Sequence, residues 1–182
     1  MLLISGEAGV GKSRLMAEAA GFAEANSMAV FRGRAVEGRG AFWALAHALL
    51  PLLVDDTLME TEALRPFRSA LAPLRPGSPA GDVGSWPAVD PVLLLAEGVL
   101  RLLRAAAGER GSLLALDDMH WADRDTLGVL EYLAGTVGDA AVLVMASMRS
   151  DEQLPAELQR MRPRPEINDL RLGRLAPMRP RP

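Results

Sequence analysis

Two hydrophobic rhythms alternate along this chain. A short apolar run at residues 2–5 stops at Gly6, and "SRLMAEAAGFAEA" then spaces its apolar residues as an amphipathic helix does. "MAVFRGR" at 28–34 reads as a second strand. From Ala41 to about Leu71 the pattern is helical, with breaks expected at Pro51 and Pro66, and residues 72–89 form a Pro- and Gly-rich insertion with no expected secondary structure. "DPVLLLAEGVLRLLRAAAG" carries agreeing helix signals: Asp90 as N-cap, Pro91 at the first helical position and Gly108 just past the end. "GSLLALDD" and "AAVLVMAS" run through apolar residues without alternation, as strands covered on both faces of a parallel sheet do. Between them "DRDTLGVLEYLAG" predicts a helix capped by Asp123. A short helix around 152–161 and a strand at "LRLGRL" complete the series. Alternating strands and helices imply an α/β fold, a doubly wound, mostly parallel five-stranded sheet with right-handed crossovers. There is no internal repeat.

Composition changes the picture in three places. With 182 residues, 49% of them hydrophobic, the chain is long enough for one well-buried core. No cysteine and two histidines, His47 and His120, leave no disulfide framework and no Cys- or His-built metal site. "MLLIS" lacks the length and basic flank of a secretory signal, and no apolar run approaches the roughly 18 residues of a membrane span, so the expectation is a cytoplasmic protein without membrane contact. The net charge of −3 argues against an electrostatic nucleic-acid surface, although arginines gather toward the C-terminus.

Lys12 is the only lysine among the 20 basic residues; the rest are arginine. Lysine is a compact charge on a thin stem, able to pass between close-packed amides where the wide guanidinium fork cannot. Its surroundings explain the exception. Gly6-Glu7-Ala8-Gly9-Val10-Gly11-Lys12-Ser13 satisfies the G-x-x-x-x-G-K-[ST] Walker A pattern, between a predicted strand and a predicted helix. The glycines let backbone amides approach a phosphate chain, and the helix N-terminus adds its dipole. Lys12 is assigned to the β- and γ-phosphates and Ser13 to Mg²⁺. Such a loop needs carboxylates at the end of a neighbouring strand, and "LLALDD" supplies them: Asp117 to hold Mg²⁺, Asp118 as the general base for the attacking water. The expected cofactors are ATP and Mg²⁺.

The segment "LLALDDMHWADRDTLGVLEYLA" resembles the Walker B region of the AAA-like signal-transduction ATPases with numerous domains, the STAND group at the N-terminal end of large LuxR-type bacterial transcriptional regulators. "LLISGEAGVGKSRL", "FRGRAVEGRGAFWAL", "AVLVMASMRSDE" and "LRLGRLAP" match in the same order, so the resemblance spans nearly the whole chain apart from 72–89 and the last few residues. It implies a P-loop ATPase core over residues 1–175, followed by a Pro/Arg-rich tail at 176–182. It further implies that Arg149 is a sensor arginine facing the γ-phosphate and that His120 and Trp121 are the family's His-Trp pair, with Trp121 serving packing or nucleotide contact. Asp123 remains a helix cap only. Arg160, Arg162 and Arg164 lie where ring-forming relatives carry an arginine finger, but the prolines beside them point to a disordered stretch.

The family's Gly-Arg-Glu segment before the first strand, its helical lid and its DNA-binding helix-turn-helix are not found in this sequence. The expectation is a core fragment that binds ATP or ADP weakly, hydrolyses slowly and does not itself recognise a DNA sequence, its partners being the regulator's other domains or further copies of itself. Two other readings stand beside it: a small-molecule P-loop kinase using the arginine-rich end as a lid, and an interaction fragment that no longer handles nucleotide. A GTPase is excluded, since the guanine-reading Asn/Thr-Lys-x-Asp motif needs a second lysine.

Overall fold

The computed structural model describes residues 1–75, 90–139, 141–150 and 154–174. In chain order these form β1 (Leu2–Gly6), α1 (Lys12–Ala25), β2 (Ala29–Arg34), α2 (Trp43–Leu53), the short α3 (Asp56–Met59) and α4 (Arg68–Leu71), and α5 (Pro91–Ala107). Then come β3 (Ser112–Asp117), α6 (Arg124–Thr136), β4 (Val142–Arg149), α7 (Ala156–Met161) and β5 (Asn168–Leu172). The five strands make one sheet in the order β2-β3-β4-β1-β5, and every pairing is parallel. The fold is the α/β architecture, helices flanking a parallel five-stranded sheet, that the alternation of elements predicts. Among the described residues no helix is long and apolar enough to cross a membrane.

The two faces of the sheet are covered unequally. Leu114, Leu116, Val144, Ala146 and Met148 point into a large core shared with Leu49 of α2, Leu100 of α5 and Leu130 of α6. On the other face Ile4, Leu113, Ala115 and Met145 meet Met16, Ala20 and Ala23, all from α1. Both faces of β3 and β4 are therefore in contact with side chains, which is why their sequences show apolar runs rather than alternation.

Helix ends follow local chemistry where a cap is present. The Asp90 side chain accepts a hydrogen bond from the Val92 amide at 2.9 Å, with Pro91 at the first helical position and Gly108 closing α5. Pro51 departs from expectation. It lies inside α2 rather than breaking it, in the last turn, where the missing amide removes one bond while Leu45, Leu49 and Leu53 stay fully buried and hold the helix down. Pro66 does mark an interruption, a single 3₁₀ turn at Arg65–Phe67. Residues 72–74, read from sequence as loop, form another such turn with Leu74 buried; 76–89 lie outside the described residues, as do 151–153 and 175–182. The last strand begins at Asn168, two residues before "LRLGRL", because pairing with β1 sets its limits and its residues are mostly exposed.

Gly33 in β2 has no room for a side chain: a Cβ there would sit 2.1 Å from the Ala44 carbonyl oxygen of α2. Overpacking a tight site costs typically about 1–3 kcal/mol, occasionally more, and here the obstacle is backbone. Gly33→Ala is expected to lower stability by about 3 kcal/mol, measured as a shift in the denaturant midpoint.

Candidate functional site

The loop between β1 and α1 is shaped by two left-handed residues, Gly9 at φ 74° and Gly11 at φ 105°, and a Cβ built at either would meet nothing within 4 Å. The constraint is conformational, and the space beside the backbone is open. Gly11 is also the N-cap of α1, where no side chain caps the helix and the first turn holds no acidic residue. The leading amides of α1 are thus left for an anion to satisfy.

Lys12 is buried, with 6% of its surface exposed. Its Nζ donates to the carbonyls of Gly6 at 2.9 Å and Glu7 at 2.8 Å. An ammonium has three donors, so two brace the loop and one remains for an incoming ligand. Lys12 is therefore part of the loop's own structure, which its sequence position alone does not reveal.

At the end of β3 the two carboxylates face different partners. Asp117 accepts a hydrogen bond from the buried Ser147 hydroxyl of β4 and one from the Asp118 amide. The same amide donates to Ser147 Oγ at 3.0 Å. Asp118 is left-handed, φ 56°, a conformation that aspartate tolerates better than most residues and that these bonds to its amide hold in place. Its Oδ2 accepts from both Nε and a terminal nitrogen of Arg34, at 2.8 and 2.6 Å. Hydrogen bonding and charge from Asp118 push the Arg34 guanidinium above its usual range. Both nitrogens use one oxygen, so Arg34 leaves Oδ1 to other partners.

Lys12, Ser13, Asp118 and Arg149 line a single cleft of about 420 Å³ together with Ala8, Gly9 and Gly11. Arg149 is brought there by register, since the last residue of β4 pairs with Gly6 at the end of β1. Among the described residues the lining of this cleft carries Lys12, Arg14, Arg34 and Arg149 beside the Asp118 carboxylate, in a chain whose net charge is −3. His120 and Trp121, ring centroids 5.0 Å apart, also border it, and Trp121 is 38% exposed. Asp117 opens instead onto a neighbouring cavity that shares Ser13 and Arg34 with the cleft. Glu7 and Val10 lie on the far side of the loop beside Leu172, where Glu7 pairs with Arg174 at 2.9 Å.

The three arginines considered as a finger or lid are committed elsewhere. Arg162 pairs with Asp169, Arg164 with Glu131 and Arg160 with Glu157, and none lines the cleft. The stretch carrying them is not disordered: α7 runs into turns closed by Arg164 N–H to Met161 and Ile167 N–H to Arg164. The prolines end a short helix here rather than preventing one.

Asp123 does more than cap α6. It accepts from the Thr126 amide at 2.9 Å, as a cap does, and its other oxygen accepts from the Phe42 amide, also at 2.9 Å, at the start of α2. Phe42 is itself left-handed, φ 60°, an unfavourable state for a bulky residue that this bond helps hold. A cap alone contributes about 1 kcal/mol; a hydrogen bond to a charged group adds about 1.5–3 kcal/mol. Asp123→Ala is therefore expected to destabilise by about 2–4 kcal/mol in chemical denaturation. A loss near 1 kcal/mol would reduce Asp123 to a cap.

Two site residues have no signal of their own in the sequence, Arg34 and Ser147. Arg34 is opposite Asp117 in the β2–β3 register, and Ser147 lies one step beyond the Leu116–Ala146 pair of β3 and β4. Only strand order brings them to the carboxylates.

A family model described as "AAA ATPase domain" matches residues 1–145, which include the glycine-rich loop, β3 and the paired carboxylates, and end before Arg149. No curated protein matches the chain. Among solved structures, AMPPCP-bound DnaA from Aquifex aeolicus is similar over 94% of this chain and 39% of its own, at 14% identity and a TM-score of 0.41. This chain thus spans about two fifths of that protein's length.

Proposed function

The chain belongs to the AAA ATPase domain family, and from that premise we propose that it binds Mg²⁺-ATP in the cleft beside the glycine-rich loop, hydrolyses it slowly, and serves as the nucleotide switch of a larger LuxR-type transcriptional regulator. The observation that supports this reading is the gathering, in one cleft, of the loop amides at the start of α1 and the Lys12 ammonium with a donor to spare, with Arg34, Asp118 and Arg149 also on its lining. A polyanion fits those donors and a neutral ligand does not.

The donor set suits magnesium. Mg²⁺ takes oxygen ligands, keeps several waters and is held through one or two carboxylates plus phosphate oxygens. The Ser13 hydroxyl and the Asp117 carboxylate line one cavity, and among the described residues no cluster of three or more acidic or imidazole side chains offers a full protein cage. Bound there, the ion would neutralise charge on the phosphates. Ser147 keeps the Asp117 carboxylate oriented toward that position.

The chain's own residues divide the remaining work. Amides of the loop from Gly6 to Ser13 hold phosphate oxygens, Lys12 offers its third donor to the terminal phosphates, and Arg149 faces the γ-phosphate. Asp118 takes the proton from the attacking water. Arg34 occupies Oδ2 of that carboxylate and orients it, which leaves Oδ1 to take the proton. The test is calorimetric titration with Mg²⁺-ATP and Mg²⁺-ADP, followed by phosphate-release assays. Saturable binding with slow release supports the reading; no binding of either nucleotide by folded protein overturns it. The switch role requires that ATP and ADP produce different sedimentation or protease-sensitivity profiles, and identical profiles would remove it.

A further inference from the structure

Beside the phosphate cleft lies a second cavity of about 260 Å³, on the sheet face that α1 covers. Its origin is a shortage of side-chain volume: α1 contributes the short side chains of Ala17 and Ala20 here, over Ala115 of β3. The space is larger than the ~150 Å³ cavity known to accept benzene and below the ~300–1,000 Å³ range of drug-sized sites. An occupant is therefore smaller than a nucleotide.

The walls and the rim differ in chemistry. Met16, Ala20 and Ala115 make an apolar floor, while Arg32 and Arg34 stand at alternate positions of β2, hence on one face of the strand. His47 reaches the same rim from α2. The acidic side chains facing these groups are accounted for. Glu24 pairs with Arg32 at 2.7 Å, with both side chains about half exposed, a screened pair that exchanges readily. Asp118 pairs with Arg34, and Asp117, the carboxylate on the lining, is held by Ser147 and the Asp118 amide.

We propose that this cavity binds a small organic monoanion, an aromatic or branched-chain carboxylate, with its apolar body on Met16, Ala20 and Ala115 and its carboxylate between Arg32 and Arg34. The ring or branch fills volume that no protein side chain fills, and a planar carboxylate matches the guanidinium forks. Because Ser13 and Arg34 line both spaces, and Ser13 and Asp117 at one end of this cavity are the proposed magnesium position, the occupant sits against the phosphate cleft and its binding is tested on protein without nucleotide or Mg²⁺.

The experiment is a methyl NMR titration of protein labelled at its methionines, with Met16 as reporter and benzoate, phenylacetate and 4-methylvalerate as probes. At least one probe is expected to shift the Met16 methyl saturably. The neutral amide of that probe is expected to bind about tenfold or more weakly, the loss of one charge-assisted contact. Ala17→Phe, at an exposed position of α1, is expected to fill the mouth and abolish the shift while the circular dichroism spectrum is kept. Absence of a saturable Met16 shift with all three acids overturns the proposal. So does equal affinity for the amide, or undiminished binding by folded Ala17→Phe.

Discussion

Lys12→Met is expected to weaken Mg²⁺-ATP binding by about 100-fold, the upper end of what losing a hydrogen bond to a charged group removes. The effect has two parts. The third donor of the ammonium disappears from the cleft, and with it the one cation that stands inside the loop rather than at its rim. The carbonyls of Gly6 and Glu7 also lose the donor they share, so the loop relaxes from the shape that Gly9 and Gly11 give it. Methionine keeps most of the stem volume at a site only 6% exposed, which confines the change to charge and hydrogen bonding. A modest fall in melting temperature should accompany the loss, since two neutral carbonyls lose a charged partner. Calorimetric titration with a circular dichroism melt of the same sample checks both. Unchanged affinity in folded Lys12→Met would remove Lys12 from the phosphate site. Lys12→Arg is expected to fail as well, because the broad guanidinium does not fit between carbonyls that the ammonium contacts at 2.8 and 2.9 Å.

Asp118→Asn is expected to keep Mg²⁺-ATP binding and to lower turnover by about 10²- to 10⁴-fold, the usual contribution of a positioned general base. Asparagine tolerates the left-handed backbone at φ 56° as aspartate does, so the 3₁₀ turn that follows should persist. Losing the ion pair to Arg34, whose side chain is 68% exposed, should shift stability little. Asp117→Asn should behave differently. Its carboxylate accepts from Ser147 and faces the Ser13 cavity, so the variant should raise the magnesium concentration needed for tight nucleotide binding. Single-turnover phosphate release and a magnesium titration separate the two. If both variants lose turnover alike with unchanged magnesium dependence, the division of labour between the carboxylates is wrong.

Much of this protein was written locally. The glycine-rich loop between a strand and a helix, the Asp90 and Asp123 caps and the doubly apolar β3 and β4 all follow from interactions within a few residues, or from the demand that buried strands be apolar on both faces. Such features are legible because backbone torsion, capping and burial act on short stretches of chain. Other features depend on strand order, which is not chain order. Setting β3 between β2 and β4 brings Arg34 to Asp118 across 84 residues and Ser147 to Asp117 across 30, and the meeting of the N-terminal ends of α2 and α6 gives Asp123 a second partner 81 residues away in Phe42. Pro51 was misleading for the same reason, since its effect on α2 is outweighed by leucines whose burial depends on distant elements. Hydrogen bonds and ion pairs reach about 3 Å, so they are decided only after hydrophobic burial has brought remote segments together. The chemical groups of the site are thus present in the sequence, while the partners that orient and restrain them come from the assembled sheet.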